Sequence, residues 1–103
     1  MRSNLLSVRA ILARGWRPGA ASHDELGNPV VFTSPRAVAW NVRGACAAAH
    51  YHGGLDARGY MAALFAVENE LPPGVCLTSW ESAQGRTVAD VLALVDRALA
   101  RCR

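Results

Sequence analysis

The residues able to do chemistry are few and scattered. Cysteines stand at Cys46, Cys76 and Cys102, and histidines at His23, His50 and His52. On a helix, the four-residue step from Cys46 to His50 puts a thiolate and an imidazole on one side. Two ligands of a tetrahedral zinc site can be supplied that way, with His52 and Cys76 as the remaining pair. The step is a generic one, however, and no C-x-x-C pair accompanies it. A buried thiol beside a partly exposed imidazole is the simpler reading. A cysteine nucleophile would need a matched acid behind its histidine and donors for an oxyanion. The sequence offers neither a nucleophile elbow nor a Gly-rich oxyanion loop. Gly53-Gly54 lacks the lysine or third glycine of a phosphate cradle, and Glu68 and Glu70 point to different sides of a helix. The expectation is a non-enzyme with no catalytic residues, no metal ligands and no cofactor.

Binding chemistry has a better candidate. Arg36, Trp40, Arg43, Ala47 and His50 step by four, three, four and three residues, so they share one face of a predicted second helix. A tryptophan between two arginines suits a protein hot spot or stacking on a nucleotide base. Arg36, Trp40, Arg43 and His50 are therefore the predicted partner-binding residues. The competing structural use is a Trp40 covered by neighbouring chain, with the arginines solvated or paired to Glu81 or Asp24. Trp16 and Trp80 are expected to pack in the core near non-helical junctions. Gln84-Gly85-Arg86-Thr87 is either an anion-binding helix start or a tight turn in which Arg86 holds Asp90 or a carbonyl.

The elements that must position these groups follow from spacing and punctuation. A chain of 103 residues, 51% hydrophobic and 18% charged, suits one ordered domain over residues 1–103. A first helix is predicted from Ser3 or Asn4 to Arg14, with Leu5, Val8, Ile11 and Leu12 inward and Gly15 as its stop. Asp24-Glu25-Leu26-Gly27-Asn28 is a turn between short strands near Ala20–His23 and Pro29–Phe32, with Gly27 supplying a positive φ. Ser34-Pro35 is the predicted start of the second helix, which runs to His50 or Tyr51 and stops at Gly53-Gly54. Val38, Val42, Ala45 and Ala49 are its expected core side.

A third helix is predicted from Asp56 to about Glu70, with Tyr60, Met61, Leu64, Phe65 and Leu71 facing inward, ended by Pro72-Pro73-Gly74. Val75 to Trp80 is expected to be extended, a candidate third strand. The last helix opens at Thr87 with Asp90 completing a capping box, and presents Val88, Val91, Leu92, Val95 and Leu99 on one face. All eleven basic residues are arginine against eight acids, with no acid before Asp24. That distribution gives a basic end and an acidic side rather than a continuous nucleic-acid footprint. No apolar run is long enough for a membrane span, and the N-terminal stretch lacks a signal-peptide pattern, so a cytoplasmic protein is expected.

Several of these pieces together resemble a family of small uncharacterised bacterial and phage proteins. They are Gly15-Trp16, His23-Asp24 through Gly27-Asn28-Pro29-Val30, and Pro35 through Trp40 with Gly44-Ala45. Trp80 through Gly85-Arg86-Thr87, with Val91 and Leu94, completes the pattern. Asn41 replaces a cysteine of that pattern, and Glu81-Ser82 replaces Asn-Asp, so any chemistry carried by those positions is lost here. The resemblance implies a shared fold and no activity.

The expected fold is α+β and mainly helical: about four helices with a small β-hairpin. The expected function is non-catalytic binding of a bacterial protein partner. By analogy with phage members of the resembling family, this extends to a phage or mobile-element inhibitor of a bacterial defence system, anti-CRISPR-like in kind. The alternative is a small nucleic-acid-associated protein using the Arg/Trp face, recognisable by steep salt dependence.

Overall fold

The computed structural model describes residues 1–53 and 56–102. Helix α1 (Arg2–Arg14) starts directly after Met1 without a side-chain cap, so neither Ser3 nor Asn4 serves as one. Leu5, Val8 and Leu12 form its buried stripe, at the predicted spacing. Gly15 ends α1 in an extended conformation rather than a left-handed one. Its lack of a Cβ matters for another reason: a Cβ there would overlap the Val38 carbonyl. The chain beyond α1 thus runs tightly beside residues 38–40, where Trp16 and Trp40 form a parallel bridge.

The hairpin forms as expected. Strand β1 (Ser22–His23) pairs antiparallel with β2 (Pro29–Val30), with Ser22 opposite Val30 and His23 opposite Pro29. Asp24 organises the turn, its Oδ1 accepting from the backbone N–H groups of Leu26 and Asn28, each at 2.9 Å. Gly27 takes φ +81°, and the Arg17 guanidinium lies over the space a Cβ would fill.

The predicted start of the second helix is corrected. Ser34 caps a tight turn instead, its Oγ accepting from Arg36 N–H at 3.1 Å and its carbonyl from Ala37 N–H. Ala39–Trp40 then forms β3, pairing with the other edge of β1 so that the sheet order is β2-β1-β3. The reason lies in the edge of β1. Its flanking carbonyls accept from Val38 N–H (to His23, 2.9 Å) and Asn41 N–H (to Ala21, 3.2 Å), partners a continuous helix would withhold.

Helix α2 (Val42–Gly53) therefore begins eight residues after Ser34. Asn41 is its cap, with Oδ1 accepting from Gly44 N–H at 2.7 Å and the side-chain amide donating to Gly19 O. The predicted stop at Gly54 lies outside the described residues. Val42, Ala45 and Ala49 are buried as expected, whereas Val38 is 41% exposed.

Helix α3 (Ala57–Glu68) is capped by Asp56 and buries Ala63, Leu64 and Val67. Met61 and Phe65, predicted to face inward, are exposed. The helix is apolar nearly all round, and Leu64 belongs to both possible stripes, so its packing against α1, α2 and α5 selects the inner face. The extended reading of Val75–Trp80 is also corrected. Leu77–Glu81 is a short helix, α4, that turns Leu77 and Glu81 inward together. Helix α5 (Val88–Ala100) has the predicted capping box and buries Val91, Leu94, Val95, Ala98 and Leu99. Arg9 on α1 pairs with Asp96 on α5 at 2.6 Å. The architecture is α+β and mainly helical, with α1 packed between α2 and α5 and the small sheet at one end of α2.

A Cβ at Gly44 would overlap the Ala21 carbonyl, which is backbone and has no rotamer to yield. Gly44→Ala is expected to destabilise the protein by about 1–3 kcal/mol, read as a lower midpoint in urea with an unchanged slope.

Candidate functional site

The polar centre of the molecule is Glu81, only 4% exposed. One carboxylate oxygen, Oε2, accepts from both the Trp16 indole N–H and the Val42 backbone N–H, each at 2.7 Å. Val42 is the first residue of α2, so the carboxylate also sits where the helix dipole favours negative charge. Burial raises the Glu81 pKa, while the two donors and the nearby Arg43 charge oppose that rise. With both donors belonging to the fold, this carboxylate is a structural clamp joining α4, the segment after α1 and the start of α2.

The four predicted binding residues do not share one helix: Arg43 and His50 lie on α2, Arg36 and Trp40 outside it. Arg36 lies in the turn before β3 and is exposed. Trp40 is in β3 and only 6% exposed. Arg43, on the first turn of α2, reaches Glu68 at 3.9 Å. His50 lies further along α2 with its ring 6.1 Å from that of Tyr60. Trp16 and Trp80 are half-buried against the core, as expected. Arg86 takes the structural option, donating from Nε to the Trp80 carbonyl at 2.8 Å and stacking over the Trp80 ring at 3.9 Å.

The reactive groups are similarly dispersed. Cys46 is fully buried, and desolvation with the Glu81 charge nearby pushes its thiol up to about 12. Cys76 is exposed and donates to Ser79 Oγ. His23 is buried with Nδ1 unpartnered, and both desolvation and Arg17 lower its pKa against the opposing pull of Asp24. Among the described residues, no group of three or more His, Cys, Asp or Glu side chains is placed to hold a metal.

Two concave surfaces stand out among the described residues. The first, about 390 Å³, lies between the hairpin turn and the chain leading into β3, lined by Asp24, Glu25, Leu26, Pro35, Arg36 and Val38. Leu26 stands 85% exposed at its edge, and Val31 just beyond β2 is 68% exposed. The second, about 330 Å³, lies between α1 and α2, with Trp40 in its wall and Arg14 and His52 at its margin. The sequence singled out Arg36 and Trp40 but not Leu26, Ile11 or Arg14 as groove residues. The only signal for Leu26 was an apolar residue inside a polar turn.

The chain belongs to a family of unknown function, DUF6197, whose model matches residues 2–101. It matches no curated protein and no solved structure.

The buried carboxylate gives a signed pH dependence. Its folded pKa is raised, so the folded state holds this proton more tightly than the unfolded chain does. The Glu81 contribution to stability is therefore largest in acid and declines as pH rises from the ordinary glutamate range through the folded pKa. Denaturant midpoints of wild type and Glu81→Gln should diverge over that interval, with wild type losing ground. Glu81→Ala, which orphans both donors, should cost about 2–4 kcal/mol.

His23 acts in the opposite sense. Its folded pKa is lowered, so stability should fall as pH drops below the ordinary histidine range. His23→Phe should remove that part of the acid sensitivity in the same titration.

Proposed function

We propose that this protein is a non-catalytic module that binds a protein partner through the hairpin face. The observation carrying this reading is Leu26, an 85% exposed apolar side chain on a turn fixed by Asp24. It stands over a groove that also contains Val38 and Arg36. Exposed apolar residues rimmed by charge are the usual composition of a protein-binding patch. A turn already held by side-chain hydrogen bonds loses little entropy on binding. Of the residues first singled out, Arg36 belongs to this face, whereas Trp40 supports the fold beneath it.

The titratable groups with the most perturbed surroundings favour the non-catalytic reading. Glu81 has both donors committed to the fold, and Cys46 is closed off from solvent. Many arginines are also committed. Arg9, Arg43 and Arg101 pair with acids, Arg86 is stacked and bonded, and Arg2 donates to a carbonyl. The Arg/Trp grouping proposed for nucleic-acid binding is spread over a turn, β3 and α2, which favours the protein-binding reading over that alternative. A cytoplasmic setting suits three unpaired thiols. The finer role of a phage or mobile-element inhibitor, occluding part of a bacterial defence system, rests on the family resemblance.

The test is affinity capture from bacterial lysate with and without nuclease, using wild type, Leu26→Asp and Arg36→Glu. Both substitutions are at the surface and should shift stability by less than about 0.5 kcal/mol. A nuclease-resistant protein retained by wild type and lost by both folded variants is expected. Retention by both variants would remove the hairpin face as the site, and capture of nucleic acid alone would replace protein binding with the alternative.

A further inference from the structure

The groove between α1 and α2 shares no lining residue with the hairpin face and has a chemistry of its own. Its walls are apolar: Ile11 from α1, Ala48 and Ala49 from α2, and Trp40 from β3. Two alanines one helical step apart leave the space that larger side chains would fill. At about 330 Å³ the groove is in the range of small-ligand sites and suits one ring with a short substituent.

The polar side chains among its lining residues are Arg14, His52 and the uncharged Ser7. Arg14, in the last turn of α1, lies over the Trp40 ring at 5.4 Å and has no acidic partner among the described residues. This contrasts with Arg9, one turn earlier, which is paired with Asp96. His52 lines the groove at the end of α2, and no Asp or Glu is among its described lining residues. Trp40 presents its ring to the groove margin under Arg14, while its indole N–H is shielded from solvent and has no acceptor. An apolar slot with a guanidinium at its margin that is stacked on Trp40 but paired with no acid, and no acid among its described lining residues, suits an anionic acceptor on an apolar body.

We infer that the α1/α2 groove is a binding site for a small aromatic or branched apolar carboxylate. The apolar body occupies the slot between Ile11 and Ala48, and the carboxylate pairs with Arg14. A guanidinium engages a carboxylate with two parallel hydrogen bonds, which fixes orientation as well as affinity. The inference stands apart from the hairpin face, and either reading can fail without the other.

The experiment uses the whole chain and the probe 3-phenylpropionate, followed by two-dimensional ¹H–¹⁵N NMR of the three tryptophan indole N–H signals. The Trp40 signal is assigned by its loss in Trp40→Phe. The carboxylate should move the Trp40 signal saturably, with a Kd on the order of 1 mM for so small a ligand. The Trp16 signal, bonded to Glu81, should stay in place. The neutral isostere 3-phenylpropanamide should bind about tenfold more weakly, and Arg14→Gln should weaken the carboxylate by a similar factor. Arg14 is exposed, so that variant should fold normally, and Ser7→Trp supplies a second test by filling the groove from its α1 side. Equal binding of acid and amide, undiminished binding by Arg14→Gln, or movement of the Trp80 signal in place of Trp40 would each overturn the assignment.

Discussion

The structure depends on one carboxylate oxygen. Glu81 Oε2 receives the Trp16 indole N–H and the first N–H of α2, and so ties together three segments far apart in the chain. The cost of burying a charge is offset here only in part, in three ways, since burial still raises the carboxyl's pKa. Each donor shortens and strengthens its bond to an ionised acceptor, the helix terminus supplies positive potential, and Arg43 adds a screened attraction. A low-dielectric surrounding makes such an arrangement all-or-none: complete, it fixes a geometry, and incomplete, it strands polar groups. That is why α4 is short yet well placed. Five residues of helix have little stability alone, and Glu81 anchors them from inside.

From this clamp the positions of the two grooves follow. Trp16 is held against the core, so the chain after α1 must run beside β3, and Gly15 makes that approach possible. Strand β3 in turn places Trp40 in the wall of the α1/α2 groove and Arg36 beyond the opposite end of the strand, beside the hairpin turn. One short strand thus separates two residues that a helical reading would put side by side. Gly44 works in the same way, letting the first turn of α2 meet the Ala21 carbonyl and closing the small sheet against the helices.

The family has no assigned activity, and this member's chemistry-bearing residues show why sequence motifs alone gave none. Glycines, tryptophans and caps of this chain account for close approaches, core rings and helix starts. Among the described residues, Glu81 is the buried polar residue of the helices, 4% exposed. What remains at the surface is recognition chemistry: an apolar residue raised on a fixed turn, and a donor-lined slot between two helices.

Local physics was legible in the sequence. The first helix, apart from its predicted cap, the Asp24–Asn28 turn, the third helix after Asp56 and the Thr87 capping box all rest on contacts within a few residues, and they formed where apolar spacing or turn and cap chemistry placed them. The single-domain-sized apolar content and the mainly helical α+β character belong to the same class of information. The tertiary structure alone decided the rest. Ser34 has the chemistry of a helix cap, but the open edge of β1 competed for residues 38–41 with backbone partners that lie outside any local window. Leu64 belongs to two apolar stripes, and only neighbouring helices choose between them. Glu81 became the central clamp because folding brought Trp16 and Val42 to it across 65 and 39 residues, and no spacing rule encodes a meeting of that kind.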